Sequence, residues 1–289
     1  MVGLNKEEIL KERKEWYSHD MVLFEIVKCL NHKELCFLSD KSVRDERKRL
    51  RYFRAWAKDF LLIGFKTVTF DKYLINIYHS VANYKNIPMF TLNLKKRTEE
   101  TRRFNKPRNE QMEEMLKTKN FHELEFIYGM DLFLDFDSKS DNYYQEAEEF
   151  KKIIDDLKLP YYVLNSSSKG FHFVIESKYL PQKPTVALNE DIKGIMSNIK
   201  AIYEFKCLDN SIHDIDRVKK CPYSYVCDGT IALPLTDSQF KMFSVDMVLM
   251  KNALKNVKLF KRGLLVRTWG LSEDQLKKNV LKFWNEYLE

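Results

Sequence analysis

The stretch DLFLDFD (131–137), followed by DNYYQEAEEFKKIIDDL (141–157), YYVLN (161–165), SSSKG (166–170) and FHFVIE (171–176), decides how this chain is read. DLFLDF (131–136) is a short apolar run, as a buried strand shows. In the next segment Tyr144, Ala147, Phe150, Ile154 and Leu157 share one helical face, and Pro160 follows its end. YYVLN is a second strand, SSSKG a turn, and FHFVIE a third strand with alternation. Ile192, Ile195, Ile199 and Ile202 then mark an amphipathic helix over roughly 187–205. TIALPL (230–235) reads as a last strand. The order is β-α-β-β-α-β, so the expected class is α/β (α+β) with an RRM/ferredoxin-like core.

Around this core the chain reads as one domain over 1–289: a basic, mainly helical part (1–120), the core (121–240) and a helical C-terminal part (241–289). Arg44, Arg47, Lys48, Arg49, Arg51 and Arg54 sit among Leu50, Phe53, Trp56 and Ala57 at helical spacing. A second basic cluster, Lys95, Lys96, Arg97, Arg102, Arg103, Lys106 and Arg108, surrounds Phe104 and suits phosphate contacts. Near the C-terminus Ser272 is the expected N-cap, with Glu273 and Asp274 in the first turn. Leu276, Val280, Phe283, Trp284 and Tyr287 make the apolar face of that helix.

At 289 residues, 44% apolar and 31% charged, with 8 Gly and 7 Pro, the composition excludes collagen-like, linker-like and disordered character. No run of eighteen apolar residues exists to span a bilayer, and the charged N-terminus lacks a signal peptide's apolar segment. Five cysteines without a disulfide pattern point to a reducing cytoplasm. The net charge of +7 suits a polyanionic partner without requiring one. Cys207, His213, Cys221 and Cys227 could make a four-ligand zinc site, but they lack the close Cys pair that structural zinc normally uses. Buried thiols are the expected reading.

Three elements carry chemistry. Asp135 and Asp137 are i and i+2 on a strand, so both carboxylates point to one side, where a hard divalent cation would neutralise them. The turn Ser166-Ser167-Ser168-Lys169-Gly170 offers hydroxyls, backbone N–H groups and a cation to a phosphate. His172, between Phe171 and Phe173, faces opposite to both. The third element, LDNSIHDIDRVKKCPYSY (208–225), adds further carboxylates and then cations.

Taken together, GMDLFLDFD, SSSKGFH and LDNSIHDIDRVKKCPYSY followed by TIALPL resemble the three motifs of the archaeo-eukaryotic primase superfamily, over roughly 126–236. IYHSVANYKNIPMF (77–90) is more weakly similar to segments before the first motif in archaeal primase small subunits. The resemblance implies a primase-type α/β domain and a nucleotidyltransferase that makes or extends primers on single-stranded DNA. It matches Asp135 and Asp137 to the metal-binding pair and Asp209 to the third catalytic carboxylate, with Asp214 as the alternative. Ser166, Ser168, Lys169 and His172 match positions that hold the incoming triphosphate, and Arg217 and Lys220 match the cations after the third motif. The implied cofactor is Mg²⁺ or Mn²⁺. The implied partners are template DNA, NTPs or dNTPs, and a large primase subunit or helicase. SKSDNYYQEAEEF lacks the Cys and His of the zinc knob common after the first motif. Two other readings are a catalytically inactive nucleic-acid-binding subunit and a replication-initiation nuclease. The nuclease reading calls for a His-x-His pair, and Phe171-His172-Phe173 supplies one His.

Overall fold

The computed structural model describes residues 5–29, 33–39, 54–56, 75–84, 110–124, 127–137, 142–167, 170–210, 215, 217–226, 228–259 and 264–288. Two helices open the chain, α1 (Lys6–Ser18) and α2 (Asp20–Lys28). Asn5 and Glu8 close a reciprocal cap on α1, each satisfying a backbone N–H of the other. Strands β1 (Glu34–Ser39), β2 (Arg54–Trp56), β3 (Ile75–Ser80) and β9 (Val218–Lys220) form an antiparallel sheet in the order β2-β1-β3-β9. Residues 54–56, expected on a helix, thus lie in a strand paired with β1; the rest of the basic stretch at 44–53 lies outside the described residues. A short pair, β4 (Ala82–Tyr84) and β5 (Ile127–Met130), leads into the core.

The core follows the sequence closely. Strand β6 (Leu132–Asp137), helix α3 (Tyr143–Asp156), the hairpin β7 (Tyr162–Ser167) and β8 (Gly170–Ile175), and helix α4 (Thr185–Ile202) come in the expected order. The sheet reads β10-β7-β8-β6, with β10 at Pro234–Leu235. Beyond β6 a further bridge pairs Phe136 with Leu208 in antiparallel sense. From this edge the order 208-β6-β8-β7 is that of a ferredoxin-like sheet, with residues around 208 as the fourth strand. The sequence reading gave that place to TIALPL. Those residues lie instead at the opposite edge, where β10 pairs with β7 and Pro234, which has no N–H to give a ladder, sits at the sheet's margin.

Alternation sorts the sheet's two faces. Leu132, Leu134, Phe136, Phe171, Phe173 and Ile175 enter the main core against α3 and α4. Phe136 packs on Phe150, Phe173 and Phe205 with ring centroids 5.4, 5.7 and 5.5 Å apart. Phe133, Tyr162, Leu164 and Val174 point the other way and form a smaller cluster with Val226 and Ala232. Helix α3 buries Ala147, Phe150 and Ile154, and α4 buries Ile192, Ile195 and Ile199 but leaves Ile202 exposed. Short helices α5 (Asp237–Lys241) and α6 (Val245–Val248) precede α7 (Met250–Leu259) and α8 (Glu273–Leu288). Ser272 accepts the N–H of Gln275, and all five expected apolar residues of α8 are buried. No described helix is long and apolar enough to cross a membrane.

Phe173 contacts the rings of Phe136, Phe150, Tyr161 and Phe240. Phe173→Ala leaves a cavity there and is expected to lower unfolding free energy by about 3–5 kcal/mol in urea denaturation.

Candidate active site

Ladder register brings the acids together. Asp135 on β6 pairs with His172 on β8, and Asp137 pairs with Gly170. On the other edge of β6, Asp209 N–H donates to Asp135 O (2.9 Å) and Asp137 N–H donates to Cys207 O (3.0 Å). These bonds flank the Phe136–Leu208 pair, whose side chains are buried. Because strand side chains alternate, residues 135, 137, 172 and 209 share the face opposite Phe136 and Leu208. The third carboxylate is therefore delivered by a bridge of a single residue pair.

Two groups hold that bridge in place, and neither was legible in the motifs. The Glu146 carboxylate, on α3, accepts the Cys207 N–H at 2.7 Å. The Lys200 ammonium, on α4, donates to Leu208 O at 2.7 Å. A glutamate and a lysine on polar helix faces carry no sequence signal for such a role. Asn165 does a comparable service on the far edge: it donates to Ile231 O (2.9 Å) and accepts from Leu233 N–H (2.7 Å). Its interruption of an apolar strand was the one available hint.

Gly170 begins β8 where the hairpin closes on β6. A Cβ there would meet Phe136 O at 3.1 Å and would collide with Ser166 Oγ. The motif's glycine is required by this close approach. Ser166 is buried beside it, in a bulge of β7. Ser168, Lys169 and Asp214 lie outside the described residues, as does the basic cluster at 95–108. Arg217 is exposed just before β9, and Lys220 is half-buried at its end. Of the four residues weighed for zinc, Cys207 and Cys221 are buried, while His213 and Cys227 lie outside the described residues.

The electrostatics are those of crowded acids. Burial, then the charges of Asp137 and Asp209, push the Asp135 carboxyl up to about 7, against the opposing pull of Lys220 and Arg217. His172 is driven well below the usual imidazole range by burial and by Lys220 and Lys219, so its ring is neutral. Its Nε2 lies 3.5 Å from Asp135 Oδ1, and its ring meets Phe133 edge-on at 4.6 Å. Asp135 Oδ1 and His172 Nδ1 are buried without a hydrogen-bond partner. An orphaned carboxylate oxygen beside two more carboxylates fits a hard divalent cation. Among the described residues no group of three or more His, Cys, Asp or Glu side chains stands placed to hold a metal ion. Mg²⁺ does not need one, because it takes one or two carboxylates and fills its other positions with water and phosphate.

No protein-family model and no curated protein matches this sequence. Among solved structures, the chain is similar to the polymerase domain of Mycobacterium tuberculosis ligase D, solved in complex with DNA. The two align with a TM-score of 0.55 at 12% identity, over 89% of this chain and 90% of that one. It also aligns with the catalytic domain of primase Repb', solved with initiator DNA, with a TM-score of 0.43 at 8% identity, over 84% and 100% of the two chains.

The raised Asp135 carboxyl sets a pH dependence for the metal-free protein. Between the unfolded value near 3.8 and the folded value of about 7, the folded chain holds one more proton than the unfolded chain. Stability therefore falls as pH rises through this window, by about 1.4 kcal/mol per pH unit. Asp135→Asn removes that dependence, so in chelator the variant is expected to unfold at higher denaturant than wild type at pH 8 and to lose most of that advantage only by about pH 4. Equal gains at both pH values would show that Asp135 does not carry the crowded charge. The likeness to the ligase D polymerase domain shows that the chain shares that domain's fold.

Proposed function

We propose that the chain is a DNA-dependent nucleotidyltransferase of the primase-polymerase kind, which makes or extends short strands on single-stranded DNA and releases pyrophosphate. The convergence of Asp135, Asp137 and Asp209 on one face, with Asp135 Oδ1 buried without a hydrogen-bond partner and Lys220 and Arg217 within electrostatic reach, carries this reading. The structural neighbour's complex with DNA supports the choice of partner.

Asp135, Asp137 and Asp209 are the residues that would hold Mg²⁺ or Mn²⁺. When bound, such ions acidify the attacking 3′-hydroxyl and neutralise charge on the leaving pyrophosphate. Lys220 and Arg217 are the cations that would meet the phosphate charge. They already act on the Asp135 carboxylate, and a polyphosphate would be drawn to the same field. His172 is neutral and can donate or accept a hydrogen bond without adding charge. Ser166, Ser168 and Lys169 would complete the triphosphate grip by the motif match, and the close Gly170–Phe136 approach fixes where that turn ends.

Incorporation of labelled NTPs and dNTPs on single-stranded DNA, with and without a primer, in Mg²⁺ and in Mn²⁺, tests the proposal. Wild type is expected to make product, and Asp135→Ala or Asp137→Ala to reduce it by about 10²–10³-fold or more, the scale on which single charge-stabilising groups act. A folded, DNA-binding wild type that makes no product in either ion would overturn the enzymatic reading in favour of a binding subunit.

A further inference from the structure

Behind the candidate site lies a second charged group that the motifs do not account for. Asp131 precedes β6 and is buried. Its Oδ2 lies 2.9 Å from Lys33 Nζ and 3.0 Å from Lys219 Nζ. Its Oδ1 accepts the Ser177 N–H at 3.1 Å. Lys33 also donates to Val81 O at 2.8 Å, and Val81 N–H donates to Arg217 O at 3.0 Å. The Lys219 side chain is wholly buried, its ammonium 5.3 Å from the Phe133 ring and 5.7 Å from that of Tyr162. Two ammonium groups hold the Asp131 carboxyl well below the usual carboxylate range, while burial lowers Lys219 to about 8.

Stability alone does not explain such a cluster. Replacing a buried ion pair by apolar side chains is often neutral or stabilising, and the best-attested use of such pairs is to fix register. The strand that carries Lys219 needs this. β9 has three residues and, among the described residues, pairs with β3 alone, Tyr78 opposite Lys220, His79 opposite Lys219 and Ser80 opposite Val218. A slip of one residue would put 220 where 219 stands and turn every side chain to the other face. Adjacent lysines offer little steric objection to that slip. The cluster does not read as an anion site, because the lysines lining the neighbouring cavity are matched already: Lys28 with Glu25 (3.1 Å), Lys178 with Glu176 (3.0 Å) and Lys183 with Asp191 (2.6 Å).

We propose that Lys33, Asp131 and Lys219 are positioning residues: their buried ion cluster locks the register of β9 and so sets Lys220 and Arg217 against the carboxylates of the candidate site. The inference rests on the functional reading above. Asp131 lies four residues before Asp135 on the same chain segment, and Lys219 is next to Lys220. One ionic contact thus ties the cation-bearing strand to the acid-bearing strand.

The experiment compares Lys219→Met, Lys220→Ala and the double variant, with nucleotide KM and kcat measured beside thermal unfolding. Lys219→Met is expected to raise nucleotide KM by about 10- to 100-fold, the scale of a misplaced binding group, with a much smaller change in kcat. In the Lys220→Ala background it should add less than it does alone, because one of the two cations it positions is gone. A lower melting temperature with unchanged KM, or KM losses that multiply in the double variant, overturns the proposal. Lys219→Gln, which keeps a hydrogen-bond donor toward Asp131, serves if Lys219→Met does not fold. If wild type binds nucleotide without incorporating it, nucleotide Kd carries the same comparison. A wild type that does neither overturns the functional reading, a result independent of every variant and so distinct from failure of the register lock.

Discussion

Two backbone hydrogen bonds, Asp209 N–H to Asp135 O and Asp137 N–H to Cys207 O, force like charges together, and much of the core exists to hold them there. Three carboxylates on one face repel one another, and burial adds to the penalty at Asp135. An exposed loop would relieve this by moving. Here Phe136 and Leu208, paired between the two bonds, are buried on the opposite face, so the edge cannot swing out without exposing them. The apolar surface of Phe150, Phe173 and Phe205 around Phe136 stabilises an arrangement that electrostatics alone would break.

The same constraint explains the polar groups around the edge. A bridge of one residue pair is a weak anchor, and it is reinforced from both covering helices, by Glu146 on α3 and Lys200 on α4. The cation-bearing strand is reinforced from below by Asp131. In each case the reinforcing group is buried or half-buried, so its hydrogen bond is lost to water only if the element moves. The candidate site rests on short elements held by side chains, rather than on long strands that would hold themselves.

Much of this was readable from the residues. Period-two and period-3.6 patterns are local, and they gave β6, α3, β7, β8, α4 and α8 because each element buries one face. Asp135, Asp137 and His172 followed from alternation alone. Asp209 needed the resemblance, since Cys207-Leu208-Asp209 is too short to show a pattern. For the same reason the sequence pattern points to TIALPL, the stronger apolar run, as the fourth strand, whereas its Pro234–Leu235 pair with β7 at the sheet's other edge. The strand at 54–56 was masked by flanking arginines spaced as on a helix. Lys33, Asp131 and Lys219 were invisible because pairing between residues roughly a hundred positions apart leaves no local trace.

The two charged groups differ in a way that separates their roles. At Asp131 one carboxylate meets two ammonium groups, and the carboxyl is held low. At Asp135 three carboxylates outweigh the nearby cations, and the carboxyl is held high. The first group is satisfied within the chain and has nothing to recruit. The second is short of positive charge, and only a proton or an added cation can supply it. Asp131 lies just before β6 and Asp135 within it, four residues apart, and alternation would put the two on the same side of an ideal ladder. What divides them is the cation-bearing segment, which brings Lys219 to one and Lys220 to the other. The register of β9 thus decides which acid is neutralised by the protein and which is left for a ligand.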